Sequence, residues 1–341
     1  MKYIITLDTG TTNTRAILWD EQRKIISSRK AAVGVRNTSI DGNNIRLKEA
    51  VRDCLEGLLE DAKITYGDII SIIASGMITS NVGLVEIPHC TAPAGINELA
   101  SAVQAVKLPD VCSIPIHFIP GIKNNVPDVT VENVEQMDIM RGEEVEACPM
   151  IQKYLDGTPL LLVLPGSHMK FISVDSGGRM TGCLTSISGE LLASITNDTI
   201  LADAVGRRFV DDADYDFEML LEGYNNSLKQ GLGRACFSGR ILNQFVTKND
   251  RKIANYLLGA VLACDVQAIK NSKAIQTSAN MKVVVGGKNP LRRAIRDLLK
   301  HDGYFSEILE FIPEGDIPLS AMGAYMIADC KKALENKEER K

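Results

Sequence analysis

Two turns rich in Gly, Thr and Ser, each entered from an apolar run, carry the residue types that bind phosphate: Leu7-Asp-Thr-Gly-Thr-Thr-Asn-Thr-Arg15 and Leu164-Pro-Gly-Ser-His-Met-Lys170. In the first, Gly10 lets a backbone approach closely, and Thr11 and Thr12 offer hydroxyls and N–H groups to phosphate oxygens. Asn13 tolerates the tight return, and Arg15 adds a cation in the returning strand. Asp8 ends the entering strand, where a Mg²⁺ shell needs a carboxylate. In the second, Gly166 and Ser167 make the turn, while His168 and Lys170 suit an anionic ligand and fall on one face by strand alternation. Either turn alone is also ordinary chemistry between two strands. Two of them half a chain apart are how one large nucleotide-binding class holds a triphosphate between two domains, and they raise the expectation of an ATP-dependent phosphotransferase.

Further candidates lie between the turns. Arg141-Gly-Glu-Glu144 opens a helix, and both Glu143 and Glu144 favour a helix N-terminus. The Arg141 guanidinium can grip a carboxylate or a phosphoryl group as a two-point donor, or pair with Glu144. Ser80 and Asn81 sit in a loop where they serve either as hydrogen-bond donors to substrate hydroxyls or as plain turn formers. Glu190, at another helix start, is grouped with them as a substrate contact. Asp265, inside an apolar helix, suits a local loop-holding hydrogen bond.

The elements that must position these residues repeat. Tyr3–Leu7, Ala16–Trp19 and Lys24–Ser28 read as consecutive strands, followed by a helix over Leu47–Ala62 and a buried strand over Ile69–Ala74. From Gly76 to Gly121 the chain is rich in Pro and Gly and reads as loops, and Lys123–Glu135 is polar. The pattern then restarts with strands Leu160–Leu164, Lys170–Val174 and Arg179–Cys183. After Glu190 it is mainly helical to Asn271, with a strand over Lys282–Val285, a helix from about Pro290, a strand over Ile308–Ile312 and a helix from about Ser320. The charged tail Lys331–Lys341 reads as a solvated helix end. The order is that of a mixed α/β protein.

The 341 residues make two domains the default, divided here as 1–150 and 151–341. A net charge of −5 leaves no electrostatic footprint for nucleic acid or an anionic membrane. The longest apolar stretch, Tyr256–Cys264, stops at Asp265, too short to span a bilayer. Eight cysteines without a C-x-x-C pair read as reduced thiols in a cytoplasmic protein, and the N-terminus does not read as a signal peptide. Gly286-Gly-Lys-Asn289 is no P-loop, since it lacks the leading glycine and the hydroxyl residue. Gly231-Leu-Gly-Arg-Ala-Cys236 follows no strand and is no Rossmann turn.

Asp8-Thr-Gly-Thr-Thr12, Pro165-Gly-Ser-His-Met-Lys170 and the strand-and-glycine turn Val283-Val-Val-Gly-Gly287 stand in the order of the first phosphate, second phosphate and adenosine motifs of the actin, sugar kinase and heat-shock ATPase superfamily, which they resemble. Ser75-Gly-Met-Ile-Thr-Ser-Asn-Val-Gly83, Ile119-Pro-Gly121, Met140-Arg-Gly-Glu-Glu144 and Ser188-Gly-Glu-Leu191 add a narrower resemblance, to the 2-dehydro-3-deoxygalactonokinase family, running from about residue 3 to about 328. Ser188 stands where that family usually has Thr, which keeps the hydroxyl.

The resemblance implies two ribonuclease H-like, actin-like ATPase domains with the nucleotide in the cleft between them. It implies ATP and Mg²⁺ as cofactors, Asp8 at the metal, and Gly286 and Gly287 at the adenosine. It further implies transfer to the 6-hydroxyl of 2-dehydro-3-deoxy-D-galactonate. Related sugar kinases place an acid after a glycine at the start of the helix before the second phosphate hairpin, which makes Glu143 the general base and Glu144 its rival. The implied partners are a small sugar acid and ATP, with no nucleic acid and no membrane, and a homodimer left open. The alternatives are a kinase for another sugar on the same scaffold, or a non-catalytic sugar or nucleotide sensor.

Overall fold

A computed structural model describes residues 2–338 apart from 314 and 316. The first half opens with a meander, β1 (Tyr3–Thr9), β2 (Thr14–Asp20) and β3 (Ile25–Ala31), followed by α1 (Val35–Asp41), α2 (Ile45–Ala62) and β4 (Ile69–Gly76). The region expected as loops holds short elements instead: β5 (Cys90–Thr91), α3 (Ile96–Ala102), β6 (Gln104–Val106), β7 (Ile116–Phe118) and β8 (Ile122–Lys123). Next come β9 (Ile139–Met140) and α4 (Glu143–Tyr154).

The second half repeats the meander with β10 (Leu160–Leu164), β11 (Met169–Val174) and β12 (Met180–Ser186). The helices α5 (Ser188–Asp198), α6 (Phe217–Gln230), α7 (Leu232–Phe245) and α8 (Asp250–Asn271) follow, then β13 (Lys282–Val285), α9 (Leu291–Asp302), β14 (Glu307–Glu310) and α10 (Leu319–Glu338). The last three residues of the charged tail lie outside the described residues.

The first sheet runs β3-β2-β1-β4-β7-β6 and the second β12-β11-β10-β13-β14. In each, an antiparallel meander is joined through its first strand to parallel strands. A small third sheet, β5-β8-β9, lies beside them.

Strand alternation decides which helix covers which face. Ile5, Leu7 and Leu18 pack with Leu47, Val51 and Leu58 of α2. The opposite face, with Ile4, Ile17 and Trp19, packs with Ala324 and Tyr325 of α10. In the second sheet Leu161, Val163, Val283 and Val285 face α8 and α9, while Leu162, Ile172 and Val284 face the same apolar cluster as Ile4 and Trp19. That shared cluster includes Val145 and Cys148 of α4, so α4 and α10 lie between the two sheets.

The apolar helix α8 has the length and composition of a membrane span, but most of it is buried, with Leu258, Val261 and Leu262 inside the second half.

Candidate active site

The first phosphate-type turn is a tight β1–β2 hairpin in register Asp8↔Arg15 and Thr9↔Thr14, with the Gly10 N–H donating to Asn13 O at 2.9 Å. Its outward carbonyls are used, since Val35 N–H donates to Gly10 O and Arg36 N–H to Thr11 O. The approach needs Gly34, where a Cβ would lie 2.5 Å from Gly10 O. Among the described residues no backbone acceptor takes the N–H groups of Thr11 and Thr12, and both residues are exposed.

The second turn is built the same way. Glu190 N–H donates to Ser167 O at 3.0 Å, and a Cβ on Gly189 would lie 2.2 Å from Gly166 O. Gly286 N–H donates to Val163 O at 2.8 Å, which brings Gly286 and Gly287 alongside the β10 end of the hairpin.

These pieces line one cleft of about 1070 Å³, with Asp8 and Arg15 from the first hairpin, Gly166 and Ser167 from the second, and Gly287 and Lys288 after β13. A side pocket of about 230 Å³ shares Gly166 and Ser167 and is walled by Arg207, Phe209 and Leu291. The three motifs, up to 280 positions apart in the chain, thus meet at one site.

The acids cluster where the hairpin of β1 meets the start of α4. Gly142, at φ +116, turns the chain into α4, and a Cβ there would lie 3.3 Å from the Cα of Gly76 at the end of β4. A Cβ on Gly76 would in turn lie 2.8 Å from Asp8 Oδ1. Two bare backbones therefore allow the start of α4 to approach Asp8.

Asp8 Oδ2 accepts from Ser320 Oγ at 3.1 Å. Burial holds its carboxyl above the usual range, with the Glu143 charge adding to this and Ser320 and Arg15 opposing it. Glu143 is half-buried and accepts the Arg141 N–H at 3.1 Å. Glu146, one turn further and lining the cleft, is pushed up to about 8 by burial, then by the charges of Asp8, Glu143 and Glu144. Nothing in the sequence motifs marks Glu146. Its signal is the i, i+3 spacing from Glu143, which puts both on one face of α4.

Other expected site residues have different employment. Glu144 is fully buried, and both its oxygens accept the Gly142 N–H, at 2.9 and 2.7 Å, so it braces the turn instead of facing a substrate. The Arg141 guanidinium donates to Thr79 O, Thr79 Oγ1 and Ile87 O and lies against the His89 ring, so it pins the loop 77–89. No ion pair links it to Glu144 among the described residues. Burial, followed by the Arg141 charge, lowers His89 to about 4, keeping that ring neutral.

In the pinned loop Ser80 Oγ donates to Met77 O at 2.7 Å, while Asn81 is exposed. His168 Nε2 lies 3.1 Å from Glu190 Oε1, both side chains exposed beside the second hairpin. Lys170 departs from the phosphate contact expected of it, because it is only 4% exposed and its ammonium is bonded to Ile139 O and Thr185 Oγ1. Asp265 is the loop-holder expected, accepting the hydroxyls of Ser186 and Ser188 below the start of α5.

Duplicated sheets of this order, each presenting a glycine-rich hairpin to a common cleft, define an actin-like ATPase fold of the sugar kinase kind. The family model described as 2-keto-3-deoxy-galactonokinase matches residues 8–311, and the chain belongs to that family. It is accordingly an ATP-using sugar-acid kinase, a phosphotransferase with an alcohol acceptor.

Among solved structures, a Sinorhizobium meliloti protein described as a "putative 2-dehydro-3-deoxygalactonokinase" shares 21% identity over 97% of this chain and 99% of its own, with a TM-score of 0.71. The activator of 2-hydroxyisocaproyl-CoA dehydratase from Clostridium difficile, with bound ADPNP, is 14% identical over 98% of this chain and 97% of its own, at a TM-score of 0.48. No curated protein sequence matches the chain.

Proposed function

We propose that this kinase transfers the γ-phosphoryl group of ATP to the 6-hydroxyl of 2-dehydro-3-deoxy-D-galactonate in the cytoplasm, with Glu143 as general base. The observation that carries the reading is the approach of the α4 acids to Asp8 in the cleft where both hairpins meet. In-line transfer needs a placed hydroxyl, a held triphosphate and a base on that hydroxyl. Glu143 is the first residue of α4, directly after the Gly142 turn. Its side chain takes the Arg141 N–H through one oxygen, whereas both oxygens of Glu144 are turned onto the Gly142 N–H.

The residues fit a Mg²⁺ ion, which binds through one or two carboxylates together with phosphates and water. Asp8 and Glu146 both line the cleft, and among the described residues no side chain donates a hydrogen bond to Glu146. Bound there, Mg²⁺ would neutralise charge on the phosphates. The N–H groups and hydroxyls of Thr11 and Thr12, with Asn13 and Arg15, and the turn Gly166–Ser167 with His168 hold the phosphates in this reading. Gly286 and Gly287 back the adenosine, with Phe209 beside it. Arg141 serves by fixing the loop that bears Ser80 and Asn81, on the acceptor side, and Glu190 steadies His168.

We divide the chain at residue 150 into a half bearing the first hairpin and acceptor loops and a half, 151–341, bearing the second hairpin and adenosine turn. In this division α10 crosses back onto the first half. Among the described residues no disulfide joins any of the eight cysteines, which suits a reducing compartment.

An ATP-consumption assay over a panel of 2-keto-3-deoxy acids, aldonic acids and neutral hexoses tests the assignment. The 2-dehydro-3-deoxy acid should give the highest kcat/KM. Comparable kcat/KM for glucose or galactose would replace the sugar-acid reading with a general hexose kinase.

A further inference from the structure

The strand that delivers the chain to Gly142 and Glu143 is only two residues long, and a buried polar network ties it to the second half. Lys170 pairs with Leu164 across the β10–β11 ladder, so it closes the second phosphate hairpin. Its ammonium donates to Ile139 O in β9 at 2.9 Å and to Thr185 Oγ1 in β12 at 2.5 Å. The Thr185 hydroxyl donates onward to Asp138 Oδ1 at 2.8 Å, and the Thr185 N–H donates to Asp138 Oδ2 at 2.6 Å. The relay therefore runs one way, from the lysine donor through the threonine hydroxyl to the aspartate acceptor.

A cation this buried is tolerated only when paired and hydrogen-bonded, and its partners here are chosen from two places. One is the backbone three residues before Gly142. The other is the Thr185 hydroxyl, which passes the hydrogen bond on to the Asp138 carboxylate adjoining the same strand. Asn124 reinforces the seam, receiving Cys183 N–H at 2.8 Å and donating to Gln136 O and Cys183 O. A packed core is not continuously deformable, so fixing the start of this two-residue strand constrains where the acid that follows can stand.

We propose that Lys170, Thr185 and Asp138 form a positioning set that holds Glu143 in register with the second phosphate hairpin, so that base and transferred group keep the spacing in-line attack requires. The proposal rests on the reading of Glu143 as the base. Lys170 belongs to this set through its hold on the backbone, without contacting phosphate.

The test uses the full-length enzyme with Thr185→Val, which keeps the side chain's shape and removes the relay hydroxyl, and with Thr185→Ser, which restores it. Because misplacing a reacting group by about 1 Å costs up to about 100-fold, Thr185→Val should lower kcat by about 10- to 100-fold with both KM values within about threefold of the parent. The fraction of ATP hydrolysed without transfer should rise at a temperature where the variant is fully folded, Tm should fall because the buried ammonium loses an acceptor, and Thr185→Ser should recover most of kcat and of Tm. In an Glu143→Gln background the same substitution should add less than about threefold, since groups acting as a unit are not additive.

A Thr185→Val enzyme with parental kcat at a temperature where it is fully folded, or one whose kcat falls only together with ATP affinity, overturns the proposal. So does failure of Thr185→Ser to recover activity, or an undiminished effect in the Glu143→Gln background. If Glu143→Gln itself turns over normally, the base assignment falls and takes this register with it. A dead Glu143→Gln enzyme beside a normal Thr185→Val enzyme removes the register alone.

Discussion

At the level of single residues, the acids at the start of α4 differ in what holds them: Glu144 is buried against the Gly142 N–H, while Glu146 lines the cleft with Asp8. Glu143→Gln should lower kcat by about 10²- to 10⁴-fold with the fold intact, the usual worth of a positioned base. Glu144→Gln should cost much less activity, because its carboxyl only braces Gly142. The stability consequence of Glu144 has a definite sign. Its value in the fold is about 8 against a reference of 4.5, so the folded chain keeps a proton that the unfolded chain sheds, and stability is lost as pH rises through that window. Glu144→Gln should therefore raise Tm relative to the parent near pH 8 and leave it little changed near pH 4.5, as read by thermal melts across pH.

Glu146 gives the parallel prediction for the metal. A cation needs its carboxylate form, so apparent Mg²⁺ affinity should rise with pH up to about 8, and binding below that should release a proton. Calorimetry in two buffers of different ionisation heat measures this release, and Glu146→Gln should reduce it, leaving only what Asp8 contributes. Asp8→Asn should raise the Mg²⁺ requirement, and a metal titration overlaying the parent's would remove Asp8 from the shell. The places of Asp8 and Gly10 in a strand-turn hairpin and of Glu143 at a helix start are legible because turn chemistry and helix starts are local. Glu146 is not, since its meaning is its nearness to Asp8 across the fold. Lys170 misled for the same reason, its partner Ile139 being a backbone carbonyl from another strand.

Among the elements, the two hairpins share one construction, a turn whose carbonyls are held by the start of a following segment through a glycine contact. Gly189→Ala would place a methyl group 2.2 Å from Gly166 O, so the second hairpin must move. The expected result is an ATP KM raised by about tenfold or more with a smaller change in acceptor KM, measured by steady-state kinetics. An unchanged ATP KM would detach this hairpin from nucleotide binding. The long periodic segments of both halves were readable, and the strands expected at Leu160–Leu164 and Lys282–Val285 match those observed. The short pieces α3, β6 and β7 were not, because three to seven residues are too few for a period to show, and their apolar side chains are spent on distant neighbours.

For the molecule as a whole, α10 is the piece that joins chemistry to architecture. Trp19, the only tryptophan, is buried with its ring 5.4 Å from that of Tyr325, and Ser320 of the same helix holds Asp8. Loss of kinase activity in urea should therefore coincide with the red shift of tryptophan emission, and separate midpoints would count against α10 as part of the cleft. The sequence reading placed a helix from about Ser320 but had no means to see which sheet it would cover, because its apolar face fits either. The bond from Ser320 to Asp8 spans 312 positions. During synthesis Asp8 leaves the ribosome long before its partner exists, and the apolar face with Ile4, Ile17 and Trp19 waits uncovered beside it. Until α10 docks, the nascent first half thus carries an open apolar face and an acid site that lacks its Ser320 partner.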